Sequence, residues 1–284
     1  MILLLLPCLL WSCAGNQSQE RSVAVTIAPQ RYFAGKIAGD QFDIHVVVPS
    51  GQSPETYDPA PHEMIRLARS RAYFMIGRIG FEQAYIGTIR KNNPHLQIFD
   101  LSEGVKWLGG EHASRVHSST HSHQATDPHI WCSTGIARII AQNTLKAFIS
   151  LDSEHESVYM DNYQELIGEI DRTEKSLHAM LDTLTVRTFI IYHPTLTYFA
   201  DEFQLSQLAI ENDGKEPSAA SMKELIDEAK KDCVRVVFIQ EEFDRKHAEQ
   251  LAAEIGARTV TIQPLDSAWD KQMLQIANEL ITVK

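Results

Sequence analysis

The segment from Ser153 to Leu184 constrains the fold most, because it carries no proline and a single glycine, Gly168. Tyr159, Tyr163, Leu166, Ile170, Leu177, Leu181 and Leu184 step mostly by three and four residues, which draws one apolar stripe along a helix. Ser153 with Glu156 three places on has the form of a capping box at its start. Gly168 inside it costs roughly 1 kcal/mol and does not break it. A helix of about 30 residues spans roughly 45 Å. One lobe does not need that length, so the segment reads as a stiff spine joining two lobes. The other use of such a helix is a coiled-coil dimer arm, and here the heptads do not continue.

On either side, short β-branched runs alternate with helix-length amphipathic segments. Val23–Ile27, Ile44–Val48, Ala72–Ile76 and Gln97–Asp100 read as strands before the spine. Thr188–Tyr192, Val234–Gln240 and Arg258–Ile262 do so after it, with Leu208–Glu211 a weaker candidate. Near-continuous apolar runs suit strands covered on both faces, and alternation of strand and helix implies parallel sheets with right-handed crossovers. The expected fold is α/β, with two lobes, each a parallel sheet flanked by helices, joined by one long rigid helix. The expected divisions are residues 1–22 as signal and tether, 23–152 as the N-terminal lobe with a His-rich loop at 110–126, 153–184 as the linking helix, and 185–284 as the C-terminal lobe.

The apolar run Ile2 to Leu10 is too short to span a bilayer and ends at Trp11-Ser12-Cys13-Ala14-Gly15. That is the shape of a bacterial lipoprotein signal, with Cys13 the lipidated residue; an ordinary cleaved signal is the alternative. Either places the mature body outside the cytoplasm, in the periplasm or at the cell surface. The formal net charge of −11, with no basic patch, argues against a nucleic-acid partner. Cys132 and Cys233 lack metal or redox spacing and are expected as buried small side chains, with a disulfide between them the other reading.

The loudest chemical signal is Gly110–Trp131, GEHASRVHSSTHSHQATDPHIW, with His112, His117, His121, His123 and His129. Imidazole is the commonest metal-binding side chain, and His-rich tracts read as metal binding, against the plain alternative of a solvated polar loop. The first four histidines lie among Gly, Ser and Thr. His129 lies between Pro128 and Trp131, a packed setting. In open parallel sheets, ligands bind beyond the carboxyl ends of the strands. Glu55, His129, His193 and Gln263 all follow strand ends, two from each lobe. Two imidazoles, a carboxylate and a carbonyl oxygen or water make a four-coordinate shell for a divalent transition metal. His62 and the pair Glu241/Glu242 are reserves, with His62 read as the start of a helix.

Pro49-Ser50-Gly51, Thr56-Tyr57-Asp58-Pro59, the His-rich loop, Asp127-Pro128-His129-Ile130-Trp131, Tyr192-His193-Pro194 and Asp213-Gly214-Lys215-Glu216-Pro217-Ser218 follow one another in an order that resembles the zinc/manganese substrate-binding proteins of bacterial ABC transporters (cluster A-I). The likeness runs from about Val23 to the end. It implies two α/β lobes joined by a long helix, with metal held in the cleft between them. His129 and His193 match the second and third metal ligands. Glu55 stands where that family usually has a histidine, and Gln263 where it has an aspartate. The implied function is a lipid-anchored, monomeric receptor that captures Zn2+, with Mn2+ or Fe2+ as the alternative metal, and hands it to a membrane permease and its ATPase. His112, His117, His121 and His123 are then accessory, collecting metal. A metal-dependent hydrolase with Glu55 as base, and a storage or adhesin lipoprotein, are the competing functions. No compact hydrolase motif such as His-Glu-x-x-His is present, so the expectation is a binding protein and not an enzyme.

Overall fold

The computed structural model describes residues 21–109, 126–211 and 217–282. Cys13 and the loop histidines His112, His117, His121 and His123 lie outside these residues, as does most of the Asp213–Ser218 motif.

All eight expected strands are present, as two four-stranded parallel sheets. The first contains β1 (Ser22–Val25), β2 (Asp43–Val46), β3 (Ala72–Met75) and β4 (Gln97–Asp100), in the order β2-β1-β3-β4. The second contains β5 (Thr188–Ile191), β6 (Ser206–Ala209), β7 (Val236–Gln240) and β8 (Arg258–Ile262), in the order β6-β5-β7-β8. The two sheets therefore repeat one topology, with a switch in strand direction of travel between β1 and β3 and again between β5 and β7. Ala-Tyr-Phe-Met of β3 and Val-Val-Phe-Ile-Gln of β7 are buried throughout, as expected for central strands covered on both faces.

Helices α1 (Ala28–Ala38), α2 (Pro61–Ala68), α3 (Gly80–Asn92) and α4 (Thr134–Leu151) serve the first sheet. After the linking helix α5 (Glu156–Leu181) come α6 (Thr197–Glu202), α7 (Ala219–Lys231), α8 (Lys246–Ile255) and α9 (Trp269–Ile281). The linking helix is shorter than the sequence pattern implies. Ser153 opens a 3-10 turn, Ser153–His155, with no side-chain cap. Asp152 takes over the cap region, meeting His155 Nδ1 at 2.8 Å and accepting from the Tyr159 hydroxyl at 2.7 Å. A capping box needs its Ser at the helix N-cap, and here an aspartate four residues before the helix competes successfully for the local donors.

α5 is not a bare rod. Tyr159, Leu166, Ile170, Leu177 and Leu181 are buried, and the helix packs on α1 and α4 of the first lobe and on α9 of the second. Its polar edge is tied down by Lys36 and Tyr32, which donate to Glu169 at 2.6 and 2.8 Å, and by Arg138, which bridges Asp171 and Glu174. One hydrophobic core runs from the first sheet through α5 to Phe189, Ile191, Phe238, Ile262 and Trp269 of the second lobe. A smaller core, around Leu208, Val237, Ile239 and Leu251, fills the other face of the second sheet.

Cys132 is buried as expected; Cys233 is exposed at a left-handed turn (φ 56°), and both are free thiols. Cys233 lies within the α7–β7 connection, where chain reversal and not burial decides the position. Among the described residues no helix is long and apolar enough to cross a membrane.

Candidate metal site between the lobes

His129 follows the Asp127-Pro128 step and opens a 3-10 turn, Ile130–Cys132, whose three residues are all buried. Its backbone N–H and its ring Nδ1 both meet Asp127 Oδ1 at 2.8 Å. His193 follows β5 at the switch point between β5 and β7. Gln240, at the end of β7, pins its backbone by accepting from His193 N at 3.3 Å and donating to His193 O at 2.6 Å. The His193 ring stacks on Phe243 with centroids 5.3 Å apart, and its Nδ1 lies 3.1 Å from Glu211 Oε1. The two Nε2 atoms then face each other across the cleft at 3.3 Å.

That spacing has a chemical meaning. Two imidazole nitrogens at 2.0–2.1 Å from one tetrahedral zinc stand about 3.3–3.4 Å apart. The carboxylates of Asp127 and Glu211 accept from the Nδ1–H groups, which leaves each Nε2 as the free donor atom for a metal. His129 is held above the ordinary histidine range: burial works against its charge, and Asp127, Glu55 and Glu242 outweigh burial. Asp127 is correspondingly low, because His129 overcomes the burial that would raise it.

Glu55 sits in the loop after β2. Its Oε2 accepts from Gly80 N at 3.0 Å, while its Oε1 is buried with no hydrogen-bond partner. An ionised carboxylate oxygen buried without a donor is costly and invites a cation. Only glycine fits at 80, since a Cβ there would lie 2.2 Å from the Glu55 carbonyl oxygen. α3 thus begins against the backbone of the candidate ligand. One turn on, Glu82 accepts from Ile76 N at 2.7 Å and Gly77 N at 2.6 Å and from the Thr26 hydroxyl. This clasps α3 to the end of β3. Burial nevertheless pushes Glu82 up to about 7.

Gln263 is placed differently. Among the described residues its side-chain bond goes to Glu241, at 2.5 Å on the exposed rim, and not to either imidazole. Glu242 is half-buried, raised by that burial, and faces both His193 and His129 electrostatically. His62 lies exposed in the first turn of α2, a helix start as expected. Among the described residues no set of three or more His, Cys, Asp and Glu side chains stands at metal-holding distances. The two imidazoles are set, and the oxygen donors are still held by Gly80 and Glu241.

Asp127, Glu211 and Gln240, the groups that aim the imidazoles, went unnoticed in the sequence. Asp127 was visible within Asp-Pro-His, two residues before its partner. Glu211 lies two residues past β6 and Gln240 ends β7, and only the β6-β5-β7 order brings them to His193.

The lobes are locked beside this site. Trp131 is buried and donates from its indole to Pro264 O at 3.0 Å, while Trp269 donates to Trp131 O at 2.6 Å. Tyr198 of α6 donates to Asp127 O at 2.9 Å and accepts from Leu108 N. Glu202 caps the N-terminus of α4 by accepting from Thr134 N at 2.9 Å, a favourable place for a negative charge.

Three similarities agree with this geometry. A solved structure described as the crystal structure of ZnuA is 33% identical, with a TM-score of 0.85 over 92% of this chain and 98% of that one. A zinc-bound ZnuA with residues 138–173 of its own chain deleted is also 33% identical, with a TM-score of 0.84 over 92% of this chain and 97% of that one. The high-affinity zinc uptake system protein ZnuA of Bacillus subtilis (strain 168) is 26% identical over 260 residues, covering 89% of this chain and 81% of that protein. The family model described as zinc-uptake complex component A, periplasmic, matches residues 23–280. The chain belongs to that family of periplasmic zinc-uptake components.

Proposed function

We propose that this chain is the metal-capturing receptor of an ABC importer, binding Zn2+ between its lobes and presenting it to a permease driven by an ATPase. Its work is coordination and release, not catalysis. The observation that carries this is the facing of two carboxylate-braced imidazoles at 3.3 Å, the bite of a tetrahedral zinc. His129 and His193 are the nitrogen ligands. Glu55 is the third, supported by its buried, unpartnered oxygen. The fourth position falls to Gln263, once it leaves Glu241, or to Glu242 or a water. The loop histidines His112, His117, His121 and His123 collect metal upstream of this site. Cys13 anchors the chain by lipid on the outer side of the membrane, and the receptor works as a monomer.

A metal takes only the unprotonated Nε2 atoms, so binding competes with protons and weakens in acid. The test is metal-dependent melting of chelator-stripped protein. Sub-micromolar zinc should raise the melting temperature and remain bound at about one ion per chain after desalting. No shift and no retained zinc would end the proposal. A larger shift with manganese under the same conditions would move it to the manganese alternative.

A further inference from the structure

Far from the metal site, beside the first strand, lies a cavity of about 500 Å³ between α1, α2 and the β1–β2 edge. Arg31 of α1 and Arg66 of α2 line it and are exposed, and among the described residues neither guanidinium has an ion-pair or hydrogen-bond partner. His45 of β2 lines the same space with only 7% of its surface exposed, and its Nε2 is buried without a partner. Its Nδ1 meets the Ser22 hydroxyl at 3.3 Å, which fixes the ring. Gly35, one helical turn after Arg31, faces open space, for a Cβ there would meet nothing within 4 Å. Asp43 also lines the space, so two arginines stand against one carboxylate. In a chain of net charge −11, two exposed arginines without partners line the same space as a buried, unsatisfied imidazole, and leaving that Nε2 unpaired is costly. Arginine forks match tetrahedral oxyanions, and a neutral imidazole can donate to one.

We infer that this cavity is a binding site for a phosphate group, held by Arg31 and Arg66 with the Nε2–H of His45 as floor, the Ser22 hydroxyl donating to Nδ1 and fixing that tautomer. The phosphate is either free or the headgroup of an anionic phospholipid. The headgroup reading rests on the lipid anchor proposed above: Ser22 is nine residues after Cys13, about 30 Å of extended chain at most. The site is independent of the metal reading, which can fail without touching it.

The experiment uses full-length protein carrying Cys13→Ser, stripped of metal, with His45 followed by NMR. Inorganic phosphate should shift the His45 ring signals saturably and raise their protonation midpoint. Arg31→Ala/Arg66→Ala should weaken that response at least tenfold while leaving zinc binding, the control for folding, unchanged. If the double variant misfolds, Arg66→Lys keeps the charge, loses the fork and should weaken it several-fold. Co-sedimentation with phosphatidylglycerol/phosphatidylcholine vesicles, lost in the double variant, identifies a lipid headgroup; a response to free phosphate alone identifies the soluble anion. No saturable response together with no arginine-dependent vesicle binding overturns the inference, and so does phosphate binding that survives loss of both arginines.

Discussion

His129 and His193 point at the same spot, yet the two lobes hold them by different means. His129 is 4% exposed, and Asp127 grips both its backbone and its ring. The turn that carries it is welded to the second lobe through Trp131, Pro264 and Trp269. His193 has a side chain 17% exposed and is held within its own lobe by Glu211, Gln240 and the face of Phe243. One imidazole is therefore part of the inter-lobe core, and the other stands on strand-end loops of a lobe whose outer face has its own small core. A receptor must bind tightly and still let go. The asymmetry assigns the first task to His129 and the second to the loops around His193.

The largest effect that could break this comparison is loss of a ligand. His129→Ala and His193→Ala should each weaken zinc binding by about 100-fold or more in a competitive chelator titration. His129→Ala should also lower the stability of the metal-free protein more than His193→Ala, since its ring is packed into the inter-lobe core and is the charge partner of Asp127, whose remaining partners are neutral donors. Equal stability losses would remove the distinction between the two halves.

The bracing carboxylates sharpen it. Asp127→Asn should cost more zinc affinity than Glu211→Gln, within the 10–100-fold range usual for groups that orient a metal-bound histidine. Asp127 serves two donors of His129, whereas Glu211 meets His193 through one, longer contact at 3.1 Å. Calorimetric titration of both variants decides the order.

Glu82 tests whether the first half is strained at its base. Its folded pKa, about 7, lies above its starting value of 4.5. Between those values the folded state binds more protons than the unfolded state, so Glu82's contribution is full below pH 4.5 and is lost as pH rises to about 7. That amounts to roughly 3 kcal/mol across the window. In urea melts of metal-free protein, Glu82→Gln should abolish this slope. Its amide cannot accept from both the Ile76 and Gly77 amides, so it should also be less stable at acid pH. A slope unchanged in the variant would assign the pH dependence elsewhere. The smallest effect belongs to the loop: deleting residues 112–123 should change equilibrium zinc affinity less than about fivefold while slowing capture when metal is scarce. A loss as deep as that of His129→Ala would make the loop part of the site.

The architecture was legible because buried parallel strands write themselves as apolar runs and an amphipathic helix as a stripe. All eight strands lie where those runs are, displaced by a few residues at their ends, as Val234–Gln240 narrowing to Val236–Gln240 shows. The start of α5 was not legible, because the Tyr159 hydroxyl donates to Asp152 and that bond competes with the capping pattern. Within the site, His129 and His193 come together as their strand-end positions imply. Gln263 does not join them in this geometry, because a neighbouring carboxylate captures its amide. That contest between Glu241 and the metal has no signature in spacing. Nor does the Trp131–Trp269 link, whose partners lie 138 residues apart.

That link sets the thermodynamic character of ion capture. Proteins that clamp a ligand by swinging domains bury apolar surface as they close and show it as a negative heat-capacity change. Here the indoles span the seam, and the apolar surface between the lobes is out of water. Zinc uptake should therefore proceed with a heat-capacity change near zero, and its enthalpy should be almost independent of temperature between 10 and 35 °C. The loaded molecule would then announce itself to its membrane partner by charge and loop order, not by a change of outline.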